Sequence, residues 1–195
     1  MRVIAGEFKG RRLRVPDWPG LRPTSDKLRE TLFNILGPSV RGARVLDGYA
    51  GTGAVGIEAL SRGAAHVTFV DSNARAVALI AENLALCGLA PHPSAPRERY
   101  AIIRAWFAGT TGALRGAAFD VLFLDPPYGA GELAAALAAA DGLVADGALL
   151  VIEHAKRDAA PERSGALARA RVVTSGDSAL AFYRRAPGTP EQGGI

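Results

Sequence analysis

Short apolar runs punctuate the chain from Arg44 onward: Val45-Leu46, Val67-Thr68-Phe69-Val70, Ala101-Ile102-Ile103, Val121-Leu122-Phe123-Leu124 and Leu149-Leu150-Val151-Ile152. Each is continuous rather than alternating, which is the pattern of a strand covered on both faces. Amphipathic stretches at 54–62, 73–87 and 131–140 separate several of them. Strand alternating with helix predicts a parallel sheet with helices on both sides. Two runs close together, around 169–174 and 178–184, predict an antiparallel closing pair.

The first forty residues follow another pattern. Arg2-Val3-Ile4-Ala5 and Arg11-Arg12-Leu13-Arg14-Val15 flank Gly6 and Gly10, predicting a short β-hairpin that stops at Pro16 and Pro19. A helix is expected in TSDKLRETLFNILG, capped by Thr24 or Ser25, with Asp26 at its positive end and Gly37-Pro38 as the stop. Leu28, Leu32, Ile35 and Leu36 share one face of it, leaving Lys27, Arg29 and Glu30 outside. The proline-rich stretch Pro91–Arg99 reads as a loop, and the residues after Ala186 as a disordered tail. The expected organisation is a basic hairpin extension over 1–22, an α/β domain over 23–185 and a tail over 186–195.

Composition narrows the class. At 195 residues, 49% hydrophobic and 22% charged, the chain is neither disordered nor fibrous. It has no run of about 18 apolar residues, and its start is too basic for a secretory leader, so no membrane association is expected. A single cysteine, Cys87, excludes an internal disulfide and points to a reducing cytoplasm. His66, His92 and His154 share no ligand spacing, so no metal site is expected. The net charge of +4 is unevenly placed: residues 1–44 carry 10 Lys/Arg against 4 Asp/Glu, or +6, and the remainder carries −2. A basic N-terminal block suits a polyanionic partner such as nucleic acid, and equally a solvated surface.

Two motifs carry chemistry. In Val45-Leu46-Asp47-Gly48-Tyr49-Ala50-Gly51-Thr52-Gly53-Ala54-Val55-Gly56, a GxGxxG lies between a strand and a helix, where glycines admit a ligand close to the backbone. Asp71 ends the next strand, 18 positions after Gly53. A carboxylate there can accept both hydroxyl hydrogens of a ribose, or it can cap the following helix. The fingerprint allows NAD, FAD or S-adenosylmethionine. Asp47 tilts the choice, because it would repel a pyrophosphate and attract the ammonium and sulfonium of S-adenosylmethionine.

The second motif, Asp125-Pro126-Pro127-Tyr128, follows the fourth strand. Ligands of open α/β sheets bind at the carboxyl ends of the strands, so this turn shares a mouth with Asp47 and Asp71. Prolines fix φ and supply no N–H, leaving carbonyl oxygens aimed at the site. Asp125 and the Pro126 carbonyl are two acceptors for the two hydrogens of an exocyclic amine. Their hydrogen bonds would turn its nitrogen lone pair toward the methyl donor. Tyr128 offers a ring for stacking a flipped or unpaired base.

With these residues in view the chain resembles the class I S-adenosylmethionine-dependent amino-methyltransferases carrying a DPPY motif. More narrowly it resembles the RsmD-type enzymes, which methylate the 2-amino group of a guanine in small-subunit (16S) ribosomal RNA. The likeness spans nearly the whole chain, through RVIAGEFKGRRL at 2–13, LRPTSDKLRETLFNIL at 21–36, VLDGYAGTGAVGIEALSRGA at 45–64, LDPPYG at 124–129 and GDSALAFYRR at 176–185. It implies a Rossmann-like class I methyltransferase fold: a mostly parallel seven-stranded sheet with an antiparallel closing strand, plus the N-terminal hairpin. It further implies a cofactor site at Asp47, Gly51, Gly53, Asp71, Ser72 and Thr24, and an amine site at Asp125, Pro126 and Tyr128. Arg22, Thr24 and Arg29 match the family's N-terminal motif, with contacts to the methionine carboxylate or to RNA. Lys9, Arg11, Arg12, Arg14 and Arg22 are the expected RNA-gripping residues, with ribosomal RNA or the small subunit as partner and a monomer as the acting form. After the third strand the family commonly has a small polar residue near the adenine, whereas this chain reads Ile103-Arg104-Ala105-Trp106, so Arg104 or Trp106 would cover the base instead.

Several residues stand outside these motifs. Cys87 reads as core. Glu153-His154 ends the fifth strand, where packing outweighs lining the pocket. Glu58 either approaches the cofactor or serves the exposed face of its helix. Rival functions are a DNA or RNA adenine-N6 or cytosine-N4 methyltransferase, a non-catalytic RNA-binding assembly protein, and a nicotinamide oxidoreductase.

Overall fold

In the structure, a computed structural model in which residues 1–18, 25–89 and 99–186 are described, the continuous apolar runs become five neighbouring strands of a single sheet, with Ala101-Ile102-Ile103 at its edge. Strands β1 (Arg44–Gly48), β2 (His66–Asp71), β3 (Tyr100–Arg104), β4 (Phe119–Leu124) and β5 (Val144–Ala155) are parallel to one another. Strands β6 (Arg163–Ser164), β7 (Leu167–Ser175) and β8 (Ser178–Arg185) add an antiparallel edge, with β8 inserted beside β5. The strand order is β3-β2-β1-β4-β5-β8-β7-β6. Among the described residues eight strands are present where seven were expected, because Arg163-Ser164 pairs with Leu167-Ala168 and two residues leave no periodic signal.

Helices α1 (Asp26–Leu36), α2 (Ala54–Ser61), α3 (Ala74–Leu86), α4 (Phe107–Leu114) and α5 (Ala130–Ala140) cover the sheet. On one face Leu28, Leu32, Ile57 and Ile80 pack against Val45, Phe69, Phe123 and Val151. On the other, Leu114, Leu133 and Leu137 pack against Leu46, Leu122, Leu150 and Ile152. Alternate residues of each central strand thus feed two separate cores, as expected of a sheet buried on both sides. Ser25 caps α1, its hydroxyl accepting the Leu28 N–H at 3.1 Å, and Gly37 (φ +53) ends it. Helix α4 left no clear signal in the sequence, since two glycines and two threonines fall within its eight residues. Among the described residues no helix is long and apolar enough to cross a membrane. The loop expected at 91–99 falls, apart from Arg99, outside the described residues, as does the tail beyond Ala186.

The N-terminal hairpin departs from expectation. Arg2 and Arg12 form one antiparallel bridge rather than two extended strands. Backbone groups that would lengthen the ladder go to helix α2 instead. The buried Glu58 carboxylate accepts the N–H of Ile4 (2.8 Å) and of Ala5 (3.0 Å), and Ser61 Oγ accepts that of Phe8 (2.9 Å). Val3, Phe8 and Leu13 are buried in the same core as α1 and α2. Farther along, Asn83 of α3 accepts the Arg14 N–H through Oδ1 (2.7 Å) and donates to Arg14 O (3.2 Å) and Thr52 O (2.9 Å). Residues 1–14 are therefore bonded into the domain.

Two residues take roles that the sequence did not suggest. Arg29, expected on the outer face of α1, has no exposed surface. Its guanidinium donates to Arg2 O at 2.6 Å and to Asp26 at 3.0 Å, and lies 3.9 Å from Glu58. Burial lowers its pKa, opposed by the charges of Asp26 and Glu58. Glu58 lines neither the glycine turn nor an exposed face; besides the two N–H groups it accepts Arg62 Nε at 2.7 Å. Removing that carboxylate orphans two part-buried N–H donors and leaves a buried guanidinium with less counter-charge. Glu58→Ala should cost about 3–5 kcal/mol, measured by urea denaturation. Glu82→Ala, which removes only the exposed partner of Arg14, should cost about 1 kcal/mol or less.

Candidate active site

Strand β1 delivers the chain into the glycine turn. Tyr49 adopts φ +59, a conformation that costs a non-glycine residue about 1 kcal/mol or more. Gly53, at φ +73, then starts α2. Gly56 sits where α2 presses on the sheet: a Cβ there would lie 2.2 Å from the Phe69 ring, so any side chain would push the helix away. Asp47 Oδ2 accepts the Gly56 N–H at 2.8 Å, satisfying one of the free donors of the first helical turn.

Asp71 closes the turn from the neighbouring strand. Its Oδ2 accepts the Gly51 N–H and its Oδ1 the Asn73 N–H, both at 2.8 Å. The cap of α3 is Asn73, whose Oδ1 accepts the Arg75 N–H, so Asp71 is not the helix cap. Each carboxylate oxygen retains acceptor capacity beyond one backbone bond.

The Asp-Pro-Pro-Tyr segment leaves β4 directly beside this turn. The Asp125 N–H donates to Gly48 O at 3.3 Å, tying the two motifs together. Pro126 is buried, Asp125 half-buried and Tyr128 43% exposed. The Tyr128 hydroxyl lies 3.2 Å from Ser178 Oγ, in the turn between β7 and β8. Both motifs open into one cleft of about 990 Å³.

Of the residues expected at the site, Asp47, Gly51, Asp71, Ser72, Asp125, Pro126 and Tyr128 all line this cleft. Gly53 does not; its place is the bend into α2, against Ile80. Thr24 and Arg22 lie outside the described residues. Arg104 does not line the cleft either, whereas Trp106, 74% exposed, and Phe107 do. Sequence reasoning missed Tyr49, Lys27, Glu132 and the Ser175–Ser178 turn, and it ranked Glu153 as packing although Glu153 lines the cleft. An aromatic residue inside a glycine turn was the available signal for Tyr49; the others reach the site through tertiary packing alone.

The basic residues separate into two groups. Lys9 borders a second recess of about 490 Å³ with Arg2 and Lys27, and Lys27 also lines the main cleft. Arg11 donates to Leu86 O (3.3 Å) and Arg14 pairs with Glu82 (2.7 Å), near the far end of α3. The Arg12 side chain is exposed. Within the cleft the balance is reversed: among the described residues six carboxyl side chains line it against one cation, Lys27. Such a lining favours a cationic ligand over a pyrophosphate. Among the described residues no three potential metal ligands come together.

A protein-family model described as Conserved hypothetical protein 95 (Cons_hypoth95) matches residues 1–184. YlbH of Bacillus subtilis (strain 168) is 38% identical over 187 residues, covering 95% of this chain and 99% of that protein. Ribosomal RNA small subunit methyltransferase D of Escherichia coli (strain K12) is 34% identical over 187 residues, covering 95% and 90%. The solved structure of yhhF from Escherichia coli superposes with a TM-score of 0.80 at 33% identity, covering 96% of this chain and 99% of that one. The fold is that of the Rossmann-like class I methyltransferases.

Burial raises the Asp47 carboxyl to about 8, with the nearby charge of Asp71 adding to the shift and the Gly56 hydrogen bond opposing it. Between the ordinary value of 3.8 and about 8, the folded ligand-free protein keeps a proton that the unfolded chain has lost. Stability from this group is therefore complete at low pH and declines until pH passes about 8. The difference in unfolding free energy between the protein and Asp47→Asn should fall by up to about 1.4 kcal/mol per pH unit from pH 5 to 7. Urea titrations of both proteins across that range check this; parallel curves would contradict it.

Proposed function

Since this chain belongs to the Cons_hypoth95 family, we propose that it transfers a methyl group from S-adenosylmethionine to the exocyclic 2-amino group of a guanine in small-subunit ribosomal RNA. The observation that carries this reading is the shared cleft. The glycine turn and the Asp-Pro-Pro-Tyr turn are joined by the Asp125 N–H to Gly48 O bond and open into one volume. A donor held by the first would face an amine held by the second.

The residues fit the cofactor. Asp71 would take the ribose hydroxyls, Asp47 the ammonium, and Trp106 and Phe107 the adenine; Gly51 and Ser72 border the same space. Bound there, S-adenosylmethionine supplies an electrophilic methyl on a sulfonium. The ammonium would favour the ionised form of Asp47, so binding at pH 7 releases a proton from a carboxyl held near 8. Asp125 and the Pro126 carbonyl accept the two amine hydrogens and turn the nitrogen lone pair outward. The Asp125 carboxylate also stands ready for the proton that the amine loses. Tyr128 stacks the base, braced by its contact with Ser178. Catalysis on this reading is positioning and electrostatics without a covalent intermediate.

Charge supports an RNA substrate. The acidic interior receives a base, while Lys9 and Arg12 meet phosphates outside it and Lys27 stands where the cleft and the second recess meet. Arg11 and Arg14 already bond to α3, so their share of phosphate binding should be smaller.

Treating small-subunit ribosomal RNA with the protein and labelled S-adenosylmethionine, then mapping modified nucleotides by mass, should find label on guanine N2. Label confined to adenine, cytosine or DNA overturns the reading. Asp125→Asn should lower kcat by about 100-fold or more with S-adenosylmethionine affinity kept; full activity in that variant refutes the amine-orienting role. Reversing Lys9 and Arg12 to Glu should weaken RNA binding and flatten its salt dependence, leaving cofactor affinity unchanged. An equal fall in cofactor affinity would contradict the division between basic rim and acidic cleft.

A further inference from the structure

Among the described residues Glu153 is the one buried carboxylate lining the cleft that neither motif explains. It is 4% exposed and belongs to β5, between β4 and β8. Phe123 pairs with Val151 and Leu124 with Ile152, so Asp125 and Glu153 are the next positions along two chains whose paired strands run about 4.8 Å apart. Phe123 and Val151 pack in the same core. Two residues further on, Glu153 returns to that face of the sheet, and both it and Asp125 line the cleft.

The Asp-Pro-Pro-Tyr turn recognises an amine and is indifferent to which base carries it. The ring atom next to the amine is what differs. In guanine the 2-amino group adjoins N1–H, a donor. In adenine the 6-amino group adjoins N1, and in cytosine the 4-amino group adjoins N3; both are bare lone pairs. An ionised carboxylate only accepts. Beside Asp125 it would bond to guanine N1–H, whereas either other base would set a lone pair against it.

We propose that Glu153 is the base-selecting residue of this enzyme, accepting guanine N1–H while Asp125 and the Pro126 carbonyl hold the amine. This rests on the guanine-N2 reading above and adds the group that makes it specific. A site built to bond a polar group of its substrate rejects an analogue lacking that group by large factors, whereas a shape-based pocket does not. Glu153 acts on choice of base and leaves cofactor binding to Asp47 and Asp71.

The test compares a small-subunit ribosomal RNA fragment, its methylated guanine already mapped, with the same fragment carrying 2-aminopurine at that position. 2-Aminopurine keeps the 2-amino group but has a bare N1. The protein should favour guanine by about 100-fold or more in kcat/KM. In Glu153→Gln, whose amide can donate to a bare N1, that preference should fall at least tenfold, with S-adenosylmethionine affinity unchanged. Glu153→Asp should retain a preference for guanine. A merely structural role would lower both substrates together and leave the ratio alone. Equal use of the two fragments by the unmodified protein overturns the inference even if no variant folds, as does an unchanged ratio in a Glu153→Gln protein that binds the cofactor. In both cases guanine methylation itself still stands. Label on adenine or cytosine in the mapping step would instead remove the guanine reading beneath it.

Discussion

Strands β1 and β4 lie side by side and parallel, with Asp47 opposite Phe123 and Gly48 opposite Leu124. Their following helices, α2 and α5, leave on opposite faces of the sheet. Parallel strands whose connections diverge cannot close the gap between their carboxyl ends, so a crevice opens there. Everything in the cleft hangs on this register. A slip of one residue would turn Asp47 to the other face and break the Gly48 O to Asp125 N–H bond that holds the two turns together. The register is protected by burial on both sides, since Leu46, Leu122 and Leu124 feed one core and Val45, Val121 and Phe123 the other.

The N-terminal segment depends on the same sheet through a second tier of contacts. Glu58 and Ser61 of α2 and Asn83 of α3 take its backbone groups. Because α2 starts at the glycine turn and Asn83 also bonds to Thr52 O, the basic segment is positioned by the elements that shape the glycine-turn side of the cleft. Charge is thereby sorted by place. Carboxyl groups line the interior, and most of the N-terminal cations remain on the outside. Burial is what keeps Asp47 protonated near neutrality, so the acidic cleft carries less charge before a cation arrives than its composition suggests.

Much of the site was legible in the residues. Asp47, Asp71, Asp125 and Tyr128 stand at strand ends, where local pattern and position coincide, and all of them line the cleft. Arg29 and Glu58 were misread because a charged residue on a helix looks solvated until its neighbours are known. Here the two come together in the core, with the Arg2 carbonyl and the Ile4 and Ala5 N–H groups as partners. Gly53 stands differently. It belongs to the motif, but its left-handed φ serves the bend into α2 rather than the cleft lining.

Hydrophobic periodicity and turn chemistry by themselves determined the alternating strands and helices, the parallel character of the sheet and the two motifs at its edge. These follow from interactions between residues close in the chain, which burial then reinforces. Only the tertiary structure decided which distant side chains share the cleft. Trp106, Glu153 and Ser178 come from three different strand ends and reach it because β3, β5 and the β7–β8 turn are placed by pairing across the sheet. It also decided that the first fourteen residues are bonded to α2 and α3 instead of standing free. The reason is physical: hydrogen bonds between residues 53 to 69 positions apart depend on where the chain returns, which no local pattern encodes.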